Sequence, residues 1–423
     1  MLDAIQIIQN IVYAISLYYV VFWLLVLLEG KQERPKRKLI SPPDVTIAIP
    51  AYNEESNIIE TLRNVIALDY PKDKLSIIVV NDGSKDQTYR LAKEYADKVR
   101  KKYDFKLFMV LTQKNKGKYA AVNNALKYAN TDFFATLDAD SIPKSDALKN
   151  IINRFDEDIA AVSPVLKVYK PKNNLQRMQW FEYSVNHFYR SLIARLNAMH
   201  VTPGPLSVYR THVIKGIGGF REAHNTEDME VAMRIQKKNY RIVQCDDAFV
   251  YTKAPSELRS LYRQRHRWQY GTLRNVLDYR SMVFNRKYGD FGIFQLPIIL
   301  SSGLLGVTVL GLILHNIWKA AHPSFAMLRL YDFNIIRYIS NVRLNVIWLD
   351  IDLRSTVTLL GFFIISLFVV WMSLRLYKNK NKFSFKRSTS FFLYLFFYYL
   401  FLAIVWLGVY KDLLLRRDTG WKR

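Results

Sequence analysis

Phe133-Phe134-Ala135-Thr136-Leu137-Asp138-Ala139-Asp140 decides how this chain is read: a short apolar run ends in two carboxylates separated by one residue. The run has strand length and is preceded by the turn formers Asn130, Thr131 and Asp132. Three β-branched or aromatic runs precede it, Val45 to Ile49, Leu75 to Val80 and Lys106 to Leu111, at intervals of about thirty residues, the period of a strand plus a crossover helix. Between them, apolar residues fall at helical spacing: Ile58, Leu62, Val65 and Ile66, then Tyr89, Leu91, Ala92 and Tyr95, then Ala121, Val122, Ala125 and Leu126. The expected fold class is therefore α/β with a mostly parallel sheet. Beyond about Ile151 the pattern is less regular, with Trp180 to Leu196 helix-like and Gly204 to Phe220 loop-rich.

Ligands of such sheets gather beyond the carboxyl ends of the strands, where loop amides and helix N-termini point. The polar clusters fall at those ends: Pro50-Ala-Tyr52-Asn53-Glu54-Glu55 after the first run, Asn81-Asp82-Gly83-Ser84 after the second, and Asp138-Ala-Asp140 after the fourth.

The flanks have a different character. Half of the 423 residues are hydrophobic, and the chain carries a formal net charge of +25, which favours anionic partners such as acidic lipid, nucleic acid or a diphosphate. Ile5 to Leu28, Phe294 to Leu314, Val357 to Leu374 and Phe391 to Tyr410 are long, apolar and free of central charges, as membrane spans of roughly 20 residues require. The first is followed, not preceded, by the basic Lys31 to Lys38, so it reads as an uncleaved anchor with its N-terminus outside. That basic stretch and Lys378 to Arg387 put the central region in the cytoplasm. Counting spans sends the C-terminus outside, whereas Arg416, Arg417, Lys422 and Arg423 favour the inside, and Ala320 to Arg354 has room for an interfacial or re-entrant piece. The expected organisation is an N-terminal transmembrane helix over 1–30, a cytoplasmic domain with interfacial helices over 31–286, and about three transmembrane helices over 287–423. Cys245 is the single cysteine, which excludes an internal disulfide. The apolar cores lack the ionisable residues of a transport path, and no nucleic-acid module is recognisable.

Each cluster has two readings. Asp138 and Asp140 suit Mg2+ or Mn2+, with positions left for phosphate oxygens, or they form a turn. Asp82 suits the N–H groups of a base or the hydroxyls of ribose, with Tyr52, Asn53 and Glu54 in reach, or it is turn chemistry. Lys118, at a helix start in Asn115-Lys-Gly-Lys118, suits a diphosphate. Thr226-Glu227-Asp228 either caps a helix or presents Asp228 as an ionised base. Gln264, Arg267 and Trp268 stand at i, i+3 and i+4 and share a helix face. Arg267 could grip a diphosphate while Trp268 meets a sugar ring; alternatively Arg259, Arg263, Arg265 and Arg267 bind anionic lipid with Trp268 at the headgroups.

With these motifs in this order, the chain resembles the membrane-embedded glycosyltransferases of family 2, which include cellulose, chitin, hyaluronan and poly-N-acetylglucosamine synthases. The resemblance covers about Val45 to Trp268 plus the flanking spans. It implies a cytoplasmic GT-A fold, a Rossmann-like domain with flanking transmembrane helices. It further implies inverting, metal-dependent transfer from a nucleotide-diphosphate sugar, expected to be a UDP-sugar, to a growing β-linked polysaccharide. The alternative is transfer of one sugar to a polyprenyl phosphate or glycolipid.

By the same resemblance, Asp228 is the base. Tyr52, Asn53, Glu54, Asp82, Lys118, Asp138, Gln264 and Arg267 bind the donor, Asp138 and Asp140 hold the metal, and Glu227 and Trp268 meet the acceptor. Two features depart from the family: Asn81 stands where an acid is common, and the spans are fewer than in polymer-extruding synthases. Expected partners are the nucleotide-sugar donor, a polysaccharide or lipid-linked acceptor and membrane lipids, with no nucleic acid; the sequence identifies no secretion partner.

Overall fold

The computed structural model describes residues 4–29, 41–336, 353–377 and 385–415. Lys31 to Lys38, most of Lys378 to Arg387 and the basic residues after Leu415 lie outside the described residues. So do residues 337–352 of the stretch expected to hold an interfacial piece.

Eight strands form one sheet in the order β3-β2-β1-β4-β7-β6-β8-β5. Four of them are the runs read from the sequence: β1 (Val45–Ala51), β2 (Leu75–Asn81), β3 (Leu107–Thr112) and β4 (Phe133–Thr136), all mutually parallel. Every residue of β2 is buried, as in a strand covered on both faces. Alternate residues of β1 feed opposite layers, because successive side chains point to opposite sides of a strand. Val45, Ile47 and Ile49 pack with α2 (Ile58–Ile66), α3 (Thr88–Arg100) and α5 (Ala147–Ile152). Ala48 packs on the other side with α4 (Lys118–Lys127) and α8 (Glu227–Lys237).

The second half of the sheet is mixed. The short β5 (Ile142–Pro143) follows Asp140, and β6 (Ile159–Val168), β7 (Ser207–Arg210) and β8 (Arg241–Thr252) lie in the region beyond Ile151 expected to be less regular. β7 runs antiparallel to both β4 and β6, whereas β6 and β8 pair in parallel. The loop-rich expectation for Gly204 to Phe220 is corrected: β7 is followed there by α7 (Thr211–Gly216). A physical cause is visible in β8, where Cys245 pairs with Pro164 but Phe249 pairs with Val165, so Asp246 and Asp247 belong to an irregularity that breaks the alternation of the strand.

Around this domain lie α1 (Ala4–Leu28), α6 (Asn174–Arg195), α9 (Leu258–Asp278) and α10 (Leu296–Leu330). α11 (Leu353–Leu376), α12 (Phe385–Leu393) and α13 (Tyr399–Leu414) follow, the last two joined by a π-helical turn at Tyr394–Tyr398. Among the described residues three helical stretches are long and apolar enough to cross a membrane: Ala4–Leu28, Phe291–Lys319 and Ser388–Leu414. The apolar part of α11, Leu360–Leu376, is shorter. α9 is fastened to α13 by the His266 Nε2 to Asp412 Oδ2 contact of 3.1 Å. Gly408 of α13 leaves room for Tyr262 of α9, since a Cβ there would lie 2.1 Å from the Tyr262 hydroxyl.

Candidate active site

β1 lies between β2 and β4, and the chain order reverses its direction across the sheet between β1 and β4. The crevice beyond the carboxyl ends of two such strands is where open α/β sheets bind ligands. Tyr52, Asn53 and Glu54 emerge from β1, Asp82 from β2, and Asp138 and Asp140 from β4.

The loops after β1 and β2 are stitched together. Asn53 N donates to Ser84 Oγ at 3.0 Å, Lys85 N to Asn53 Oδ1 at 2.9 Å, and Glu54 N to Thr88 Oγ1 at 2.8 Å. Asp82 is almost fully buried, and its carboxylate accepts from Gln113 Nε2 at 2.8 Å, Lys116 N at 3.0 Å and Gly117 N at 2.9 Å. It therefore shapes the turn in which Gly117 adopts φ +89°, a left-handed conformation suited to glycine, just before α4 begins at Lys118.

Lys118 sits at the positive end of a helix dipole, a poor place for a cation unless acids hold it there. Its Nζ lies 2.6 Å from Asp138 Oδ1 and 3.0 Å from Glu227 Oε1. Burial disfavours its charge, but Asp138, Glu227 and Asp228 outweigh that and raise its pKa well above the ordinary lysine value. The same ammonium acts on Glu227, where burial pushes the carboxyl up and Lys118, a backbone hydrogen bond and Arg267 together more than reverse it, leaving the pKa below normal. Asp228 is pushed up to about 6, first by burial and then by the charge of Glu227. Asp140 is also raised to about 6, by burial and then by Asp138 and Glu54.

The Asp138 and Asp140 pair fits a hard divalent cation. It offers only oxygens, and the crowding of like charge that raises Asp140 is what a cation would relieve. Among the described residues no group of three or more His, Cys, Asp or Glu converges on one metal position, so the remaining ligands would be phosphate and water oxygens, the usual arrangement for Mg2+. Gly204 closes the floor: a Cβ on it would lie 2.5 Å from Lys118 Nζ and 2.8 and 2.9 Å from the two Asp138 oxygens. A small cavity at this point is lined by Lys118, Thr136, Gly204, Tyr209, Glu227 and Asp228.

α8 starts at Glu227, but the expected Thr226 side-chain cap is absent. Thr226 Oγ1 instead donates to Ala223 O at 2.9 Å and accepts from Asn275 Nδ2 of α9 at 2.8 Å. The turn before it is strained, with Ala223, His224 and Asn225 all at positive φ. Arg267 Nη1 braces it through a 3.0 Å hydrogen bond to Asn225 O. The main chain of Asp228 is held by Thr202 Oγ1, which donates to its carbonyl at 2.8 Å and accepts from Tyr209 OH at 2.9 Å. Thr202 carries no signal in the sequence, since nothing local distinguishes it from other loop residues.

The lipid-facing alternative for the arginines of α9 is corrected for Arg265, which is 1% exposed and ion-paired with Glu182 of α6. Its Nη1 donates to Gln264 Oε1, and its guanidinium carbon lies 4.3 Å from the centre of the Trp268 ring. Gln264 and Trp268, like Arg267, are half-buried.

Comparisons with known proteins agree with this architecture. Residues 46–218 match Glycosyl transferase family 2, and residues 133–409 match Glycosyl transferase family group 2. The probable glycosyltransferase YdaM of Bacillus subtilis (strain 168) is 30% identical over 268 residues, 58% of this chain and 59% of that protein. The poly-beta-1,6-N-acetyl-D-glucosamine synthase of Staphylococcus aureus (strain COL) is 30% identical over 254 residues, 58% of each chain. These matches span somewhat over half the length of the curated relatives. The solved mannosyltransferase PcManGT of Pyrobaculum calidifontis, in complex with GDP-Man and Mn2+, shares the fold at a TM-score of 0.63 over 98% of both chains, with 18% identity. Because the second match runs from β4 into the last apolar helix and takes in more than half of the residues, the chain belongs to glycosyl transferase family group 2.

Proposed function

We propose that the chain transfers sugar from a nucleotide-diphosphate sugar, a UDP-sugar in the first instance, to a growing β-linked polysaccharide with inversion at the anomeric carbon. The observation that carries the reading is Lys118, which joins the strand-end acid Asp138 to Glu227, the neighbour of Asp228, in one cleft. The kinship with a poly-β-1,6-N-acetylglucosamine synthase supports the polymer product.

In this reading Tyr52, Asn53, Glu54 and Asp82 seat the nucleotide, and Asp138 and Asp140 hold Mg2+ or Mn2+. The bound cation supplies charge neutralisation for the departing diphosphate. Lys118, Gln264 and Arg267 complete the diphosphate site, Arg267 keeping donors beyond the one spent on Asn225. Glu227 and Trp268 meet the acceptor. Asp228 takes the proton of the acceptor hydroxyl as its oxygen bonds to the anomeric carbon and the bond to the diphosphate breaks on the opposite face. A base near 6 is ionised at neutral pH and still close enough to the working pH to accept a proton efficiently. The apolar helices anchor the chain in a cell membrane as a multi-pass protein with this domain on the cytoplasmic side.

The test is a panel of UDP- and GDP-sugars, GDP-mannose included, offered to the purified full chain with Mg2+ or Mn2+, followed by sizing of the product. A ladder or high polymer is the expected result. A single lipid-extractable product would replace the polymer by one transfer to a polyprenyl phosphate or glycolipid, and no turnover of any donor would overturn the reading.

A further inference from the structure

A buried ion pair lies between the site and the membrane helices, and neither partner has a role in the chemistry above. Glu182 of α6 is 8% exposed and Arg265 of α9 is 1% exposed. Arg265 Nε donates to Glu182 Oε1 at 3.0 Å, and Nη2 to Oε2, a two-pronged contact. Arg265 Nε also reaches the hydroxyl of Tyr398 at 3.3 Å. Tyr398, itself 1% exposed, ends the π-helical turn Tyr394–Tyr398 inside the stretch Ser388–Leu414 that is apolar enough to span a membrane. Such turns are rare insertions that often mark functional positions.

Adhesion alone does not account for this arrangement. α6, α9 and the last helices already share an apolar cluster of Phe181, Val185, Leu261, Val370, Tyr394 and Tyr398. Desolvating two charges is costly, and well-packed apolar residues of similar size are often as stable or more so. What the pair does that an apolar pair could not is aim a guanidinium. Once Glu182 holds its Nε–Nη2 edge, Arg265 Nη1 donates to Gln264 Oε1, and the guanidinium carbon lies 4.3 Å from the centre of the Trp268 ring.

We propose that Glu182 and Tyr398 are positioning residues: acting through Arg265, they set the side-chain orientations of Gln264 on the diphosphate and Trp268 on the acceptor, so that the π-helical turn of a membrane helix fixes the geometry where donor and acceptor meet. This rests on the proposed sugar transfer. It adds that the central domain, cut away from residues 385–415, keeps its nucleotide seat but loses an ordered acceptor side.

The experiment uses the full chain in detergent or lipid nanodiscs. Four variants, Glu182→Gln, Glu182→Asp, Tyr398→Phe and the apolar pair Glu182→Leu with Arg265→Met, are compared for unfolding temperature, UDP or GDP affinity, and kcat and acceptor KM. The double variant is expected to unfold no earlier than wild type and to bind UDP or GDP more weakly by about fivefold at most, the share of the diphosphate site that Gln264 supplies. It is also expected to lose at least tenfold in kcat/KM for the acceptor. Glu182→Asp recovers most of the loss seen in Glu182→Gln. A folded double variant that transfers like wild type overturns the proposal. Should that variant fail to fold, Tyr398→Phe decides: a loss of threefold or more in acceptor kcat/KM supports the relay, and unchanged kinetics overturn it. Wild-type protein that turns over no donor removes the proposed function itself, a result separate from any difference among variants.

Discussion

Arg267 and Asn225 are joined by a 3.0 Å hydrogen bond from Nη1 to the carbonyl oxygen, so a side chain of α9 braces the strained turn that leads into Glu227 and Asp228. Arg267 therefore has two tasks in the proposed mechanism, one on the protein and one on the diphosphate. Arg267→Lys keeps the charge but not the fork. It is expected to raise donor KM and lower kcat together, by about tenfold in kcat/KM or roughly 1.4 kcal/mol, in steady-state assays of the purified chain.

Asp228 has its carboxyl pushed up to about 6 by burial and by Glu227. It must be ionised to accept a proton, so activity is present above that value and is lost as pH falls through it. An ordinary aspartate would place the acid limb near ~4. The pH profile of kcat/KM should show a limb with a midpoint close to 6. At saturating Mg2+ or Mn2+, which keeps Asp140 ionised, Asp228→Asn should lower kcat by roughly 10²–10⁴-fold, the usual worth of a general base, and remove the limb.

Asp140 is raised to about 6 by burial, Asp138 and Glu54. Replacing it with Asn removes one of two proposed metal oxygens. Mn2+ binding, followed by electron paramagnetic resonance with the nucleoside diphosphate present, should weaken at least tenfold. Unchanged binding in Asp140→Asn would place the cation elsewhere.

Gly204 has no space for a side chain, because its Cβ would fall 2.8 and 2.9 Å from the two Asp138 oxygens and 2.5 Å from Lys118 Nζ. Gly204→Ala should push Lys118 and Asp138 apart, and turnover should drop at least tenfold with little change in unfolding temperature.

Gly271 of α9 lies against Thr226, with its Cβ position 2.4 Å from the hydroxyl oxygen. Gly271→Ala overpacks that contact, and overpacking costs about 1–3 kcal/mol. Calorimetry should show a lower unfolding temperature, and activity should fall as well, because the displaced residue adjoins Glu227 and Asp228.

Much of this protein was legible from sequence because the signals are local. The thirty-residue spacing of apolar runs announced β1 to β4, and the place of Asp82, Asp138 and Asp140 at run ends announced the edge of the sheet on which they lie. Both follow from backbone periodicity, which each segment carries within itself. Strand β8 escaped because Asp246 and Asp247 interrupt its alternation, and the irregularity there makes sense only against its partner β6. The pairing of Lys118 with Asp138 and Glu227, the brace from Arg267 to Asn225, and the inward turn of Arg265 toward Glu182, 83 residues away, belong to tertiary structure alone. Which charge meets which is decided by packing between distant segments, and a carboxyl moves to about 6 only when burial removes the water that would otherwise screen it.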